Sequence, residues 1–328
     1  MADFVTIPFE LITQHVVFYF VVYECSNFNS MDRKDFLKSL IGITAMGTLS
    51  SFKSFTDGLP VQPKKMPVLF TSHGNPFDIV KSKEEKRFWN ALHNLGLKLQ
   101  KEHEVKAAFV VSAHWCTTGT FVNVSPTQKQ IFDYYGFPKE YYEVYYNAQG
   151  APEVAREIKA YVDSVKETTD WGLDHGAWPM LMHLFPMADV PVFQMSIDYN
   201  AKPQYHYKLG QQLKKLREKG VLIIGSGALI HNLSLGMKKI REGDNTLYGW
   251  ELEYDAWLKK QIDARNFTDL INYTSSHNLG KLASPTPDHF VPVLYSLGLM
   301  DSTDQIQHFF EDHPSLPAFS ERSFLITS

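Results

Sequence analysis

From residue 66 onward, short apolar runs alternate with longer stretches in which apolar residues recur every three or four positions. The runs at 68–71, 107–112, 190–197 and 221–225 are rich in β-branched and aromatic residues, which predicts buried strands. Between them, Leu209, Leu213 and Leu216 repeat at helical spacing within 205–219, with Lys and Gln opposite them and Gly220 as the stop. The same reasoning predicts helices over 84–101, over 152–164 with Pro152 in the first turn, and over 247–265. Strands that alternate with helices imply an α/β fold: a single domain over 66–328 with a mainly parallel central sheet flanked by helices.

Residues 1–65 do not share this pattern. The apolar stretch from Phe4 to Tyr23 is interrupted by Glu10, Gln14 and His15, whereas a stable membrane span needs roughly 20 largely apolar residues. Met31 is followed by Asp32-Arg33-Lys34-Asp35-Phe36-Leu37-Lys38 and then by a mildly apolar run up to Ser50. A basic head before a short apolar stretch is a signal-like pattern, and the Arg-Lys-x-Phe-Leu-Lys spacing resembles a twin-arginine export signal. Residues 1–30 are therefore read as a misassigned extension and 31–65 as a signal-like segment and linker. Periplasmic export is the expectation, with the cytoplasm as the alternative.

Composition narrows the chemistry. Hydrophobic residues make up 44% of the chain and net charge is -4. Lys and Arg are scattered, which gives no footprint for nucleic acid. Cys25 and Cys116 are the only cysteines, one on each side of Met66. The domain can thus form no disulfide within itself, and a cysteine-based zinc site is excluded. Any metal must be held by His and carboxylates. Aromatic residues are dense between Tyr134 and Tyr146. They suit either core packing or a wall for a flat substrate.

Most histidines, among them His93, His103, His183, His206, His277, His308 and His313, lie in helical or polar surroundings and need only a structural role. Others stand out by position. His73 follows the first apolar run, His114 the second, and His231 comes a few residues after the run that ends in Gly225-Ser226-Gly227. Ligands bind open α/β sheets at the carboxyl edge of the strands, and neutral imidazole is the commonest metal ligand. His175, in Asp174-His175-Gly176, and His289, in Pro287-Asp288-His289, lie in Gly- or Pro-rich turns. If Asp174 or Asp288 reached an imidazole it would fix its tautomer. Gly74, Gly225 and Gly227 would allow tight turns and close backbone approach to a bound group.

The runs TSHGNP, VVSAHW, FDYYGFP, WGLDHGAW, QMSID, GSGALIHNL and SPTPDHFVPVLY occur in this order between residues 66 and 301. Together they resemble the class III (LigB-type) extradiol ring-cleavage dioxygenases, in the branch of the 4,5-DOPA dioxygenases. The resemblance implies a metal site at the carboxyl ends of strands, with His73, His114, His231 and His289 as ligands of one divalent metal. Iron(II) is expected for activity and zinc is the other ion such a site would bind. It implies that His175 faces the substrate and that His175 and His231 carry the acid/base work. Four imidazoles on one metal form a closed shell, so one would have to leave before substrate and O2 could both coordinate. The implied substrates are a small, DOPA-like catechol and O2. Asn75, Asp133 and Asn232 are candidates for meeting its polar tail. The sequence departs from many bacterial members at Phe132, where they carry His, and at Tyr146-Asn147-Ala148-Gln149-Gly150. Apart from the resemblance, a zinc hydrolase or a non-enzymatic binding protein on the same fold would also accommodate these histidines.

Overall fold

A computed structural model describes residues 61–76, 87–311 and 316–328. The strands predicted from apolar runs form its centre: β1 (Val68–Thr71), β2 (Ala107–Thr117), β5 (Val192–Asp198) and β6 (Val221–Ser226), with the three-residue strands β3 (Phe121–Asn123) and β4 (Lys166–Thr168) between β2 and β5 in the chain. Near the C-terminus come β7 (Gln305–Phe310) and β8 (Ser323–Thr327). They join one eight-stranded sheet in the order β4-β3-β5-β2-β6-β1-β8-β7. The four central strands run parallel, while β3 pairs antiparallel with β5 and β8 antiparallel with β1.

Both faces are covered, which explains why the central runs lack polar alternation. On one face Phe70, Phe109, Val111 and Ile223 pack with Leu209, Leu213 and Leu216. These leucines come from α4 (Pro203–Gln212) and the 3-10 turn Lys214–Lys219 that continues it. That face also holds α2 (Pro152–Tyr161), α6 (Trp250–Asp263), α7 (Phe267–Ile271), α8 (Tyr273–Ser276), α9 (Gly280–Ala283) and α10 (Val291–Gly298). The other face packs Leu69, Val110, Leu222 and Ile224 against α1 (Arg87–Glu102) and α3 (Trp178–Leu184). The last helix still to be placed, α5 (Leu233–Arg241), follows β6 and starts at Asn232, whose side chain accepts from the Leu235 N–H. Asn232 also donates to Leu282 O, so its carboxamide links the start of α5 to α9.

The predicted helix over 205–219 splits because the chain tightens after Gln212, which turns Arg217 wholly inward. There the guanidinium donates to Asp304 Oδ2 at 2.6 Å, to Met66 O and to Leu299 O. Residues 61–65, read as linker, are fastened to the domain: Gln62 N–H donates to Glu218 O and Lys65 donates to Asp301 at 2.8 Å. The remainder of 1–65, with its signal-like features, lies outside the described residues. Among the described residues no helix is long and apolar enough to cross a membrane.

Candidate metal centre

The parallel strands β1, β2 and β6 deliver their carboxyl ends to one cleft of about 580 Å³, including its open mouth. His73 lies two residues past β1. His114 stands within β2, which continues past the predicted end at 112 through an irregular register between Val111 and Cys116. His231 sits in the segment between β6 and α5 and bridges to Phe319. His175 precedes α3, and His289 directly precedes the N-terminal residues of α10. All five line the same cleft.

Two glycines make this convergence possible. Gly74 has φ +68°, a left-handed conformation that lets the chain turn immediately after His73. A Cβ on Gly227 would lie 2.3 Å from His289 O, so β6 and the turn before α10 approach closely only because this position lacks a side chain. The closeness serves backbone packing around His289 and not approach to a bound group.

Polar groups stand behind the rings. Ser226 Oγ donates its single proton to Gly176 O, so at 3.1 Å from His73 Nδ1 it must accept. His73 therefore carries its proton on Nδ1 and leaves Nε2 as a lone pair. Asp133 Oδ2 lies 3.4 Å from His114 Nδ1 and 2.8 Å from His175 Nδ1, and its Oδ1 accepts from the His175 backbone N–H at 2.8 Å. The contact with His175 Nδ1 is close but too bent for a good hydrogen bond, so it acts mainly as an ion pair. Asp288 Oδ2 holds His289 Nδ1 at 2.5 Å. The Nδ1 atoms are thus occupied from behind, as outer partners of metal-bound imidazoles are.

In front, His73 Nε2 and His114 Nε2 lie 3.1 Å apart. His73 Nδ1 faces Ser226 and His114 Nδ1 faces the Asp133 carboxylate, so both Nε2 atoms are turned to a common point that a shared cation could occupy. A ring nitrogen of His175 completes a triple in which all three ligand atoms lie within 4.8 Å of one another. His231 and His289 stack face to face beside it, centroids 3.5 Å apart, and the His289 ring is 5.0 Å from that of His114. The donor set, all imidazole with carboxylates behind it, fits one divalent transition metal.

Burial pushes the pKa of His73, His114 and His231 well below the ordinary value, and neighbouring imidazoles add to this. These rings stay neutral and available as ligands. Burial also opposes the charged form of His175, but Asp133 outweighs it through charge and contact, and the pKa is raised.

The expected ligands His73, His114, His231 and His289 and the expected substrate-facing His175 are all brought together, although the tight triple contains His175 instead of His231 or His289. Asp288 reaches its imidazole. Asp174 does not: it accepts from Ser112 at 2.6 Å and from Trp171, Gly176 and Gln194 at 3.0 Å. Asp133, a candidate for the substrate tail, instead lies behind His114 and His175. Tyr134, Phe137 and Tyr146 are buried in the core and line no part of the cleft. The apolar wall comes from Leu316 and Phe319 near the chain end. No sequence signal pointed to them, because only folding carries that loop to the sheet edge.

A parallel-centred α/β sheet with a histidine cluster at its carboxyl edge defines a mononuclear metalloenzyme class. Residues 67–318 match the family model described as the catalytic LigB subunit of aromatic ring-opening dioxygenase. The 4,5-DOPA dioxygenase extradiol of Escherichia coli (strain K12) is 34% identical over 249 residues, covering 74% of this chain and 88% of that protein. The 4,5-DOPA dioxygenase extradiol of Beta vulgaris is 37% identical over 235 residues, 70% and 85% of the two chains. The crystal structure of an uncharacterized protein from Escherichia coli K12 superposes with a TM-score of 0.67 at 30% identity, covering 80% of this chain and 99% of that one. The chain belongs to the LigB family and is a metal-dependent extradiol ring-opening dioxygenase.

Proposed function

We propose that this enzyme opens the ring of a small, DOPA-like catechol with O2 at a single iron(II). The observation that carries the reading is the pair of Nε2 atoms of His73 and His114, 3.1 Å apart and set among three further imidazoles at one sheet edge. The names of the relatives supply the substrate class. When bound, iron(II) would supply Lewis acidity and a redox couple, whereas zinc would supply only the first.

His73, His114, His231 and His289 are the proposed ligands. His175 is close enough to join them, but its protonation favours another role. Its raised pKa and its Asp133 partner suit a group that takes a catechol proton and later returns one. His231, whose ring stacks on His289, would share that work. Leu316 and Phe319 would exclude water from one side of the ring.

The test is anaerobic reconstitution with iron(II), followed by a panel of catechols on admission of air. O2 uptake and a yellow ring-opened product are expected. Iron-loaded protein that shows neither with any catechol overturns the reading. We also read residues 31–50 as an export signal. Fractionation of cells expressing the full chain should place the protein in the periplasm, and wholly cytoplasmic protein would reverse this.

A further inference from the structure

We propose that Phe319 sets the size of the ring system that the cleft admits, passing catechols with a small substituent and rejecting those that carry a second aromatic ring, an inference that rests on the ring-opening reading above. The backbone places this side chain. Ala318 precedes it at φ +64°, a left-handed conformation that is costly for a residue with a Cβ. That conformation is held from both sides: Ala318 N–H donates to Glu251 Oε1 at 3.3 Å, and Ala318 O accepts from Asn232 N–H at 3.0 Å. Ser320 N–H donates to Ile230 O at 3.0 Å. The last two bonds flank Phe319 and His231, which face each other as a non-hydrogen-bonded antiparallel pair, the kind whose side chains stand closer. The Phe319 ring accordingly meets His231 edge-on with centroids 4.9 Å apart, and His231 stacks on His289. Further along, Arg322 Nε donates to Asp255 at 2.9 Å.

Among the described residues that line the cleft, Phe319 is the one aromatic side chain besides the imidazoles. Its ring has no room to retreat from an incoming group. It lies against Gly236 in α5, where a Cβ would stand 2.3 Å from Phe319 Cε2. A second ring carried by the catechol on this side would overlap a wall that is fixed both behind the ring and along the backbone. Overpacking of a fixed wall weakens binding by about tenfold or more. The bonds that hold the segment do not involve the phenyl group. Truncation at residue 319 therefore leaves the backbone in place and opens a hole the size of one aromatic ring beside His231, since a site that cannot collapse keeps its cavity.

The test measures binding without turnover. Catechol and its two phenyl-substituted isomers are titrated calorimetrically, under anaerobic conditions, into the iron-loaded full chain and into Phe319→Ala and Phe319→Leu. The wild type should bind catechol about tenfold or more tightly than either phenyl derivative. Phe319→Ala should close or reverse that gap for at least one isomer, the one whose second ring enters the vacated space, while its affinity for catechol itself stays within a few-fold of wild type. Phe319→Leu should close the gap part-way. Such a selective gain is not what partial unfolding produces. Equal affinities in the wild type, or a gap that persists in both variants, would overturn the assignment and leave the ring-opening reading standing. If Phe319→Ala loses its iron, Phe319→Leu decides; loss of iron from both would make the ring a structural support and overturn the assignment. A wild type that binds none of the three would overturn the ring-opening reading and this assignment with it.

Discussion

Asp133 shows how one side chain can assign roles to its neighbours. Its carboxylate stands behind both His114 and His175, yet only the His175 pKa is raised, because burial and four other imidazoles oppose the charged form of His114. Replacing His73 or His114 by Ala should remove a lone pair aimed at the metal and weaken metal retention by more than about 100-fold, as read by metal analysis after dialysis. His175→Ala should keep the metal and lower turnover by about 10²–10⁴-fold. A metal-free His175→Ala protein would instead make His175 a ligand. Protonation also reaches stability. His73, His114 and His231 have folded-state pKa values below their unfolded values, so the metal-free protein takes up fewer protons than its unfolded chain below about pH 6.5. Their contribution is complete above that pH and is lost as pH falls, by about 1.4 kcal/mol per pH unit for each fully titrating group. His175 has the opposite sign: its contribution is present at low pH and is lost as pH rises through its raised value. Three groups against one predict a falling melting temperature of the metal-free protein between about pH 7.5 and 5. A flat or rising profile would show that these rings are not held neutral.

At the scale of elements, the cleft depends on how closely β6 and α10 approach. Gly227→Ala would place a methyl group 2.3 Å from His289 O, a backbone atom that can move only with the start of the helix. We expect a loss of about 1–3 kcal/mol in urea unfolding, together with weaker metal binding because His289 shifts. An unchanged unfolding midpoint would mean that the helix tolerates displacement. Helix α10 itself has every residue buried, so its sequence has no polar face by which periodicity could reveal it. Strands β3 and β4 are three residues long, too short to show a period.

Across the whole molecule, Arg217 joins parts of the chain that are distant in sequence. It ties Met66 ahead of β1, the end of α10 and Asp304 before β7 to the 3-10 turn ahead of β6. With Asp304 also buried, Asp304→Ala would leave the guanidinium enclosed without its carboxylate, a change that costs about 3–5 kcal/mol. Chemical unfolding should show this loss, while iron content at low temperature stays at the wild-type level. A loss under about 1 kcal/mol would mean that Asp301, 3.9 Å away, takes over.

The central strands, the helices between them and the histidines of the cleft were legible along the chain. Their signals are local: apolar runs, helical spacing, and His placed at strand ends or in Gly- and Pro-rich turns. Tertiary structure alone decided which carboxylate serves which imidazole. Asp174 adjoins His175 in sequence but binds Ser112, Trp171 and Gln194, whereas Asp133 crosses 42 residues to hold His175. It likewise decided that the Tyr134–Tyr146 stretch is anchored in and around the core while Leu316 and Phe319 form the apolar wall. A side chain's type limits the bonds it can make. Its partner is set by which segments the closed sheet brings within about 3 Å, the reach of a hydrogen bond, and separation along the chain carries no information about that distance.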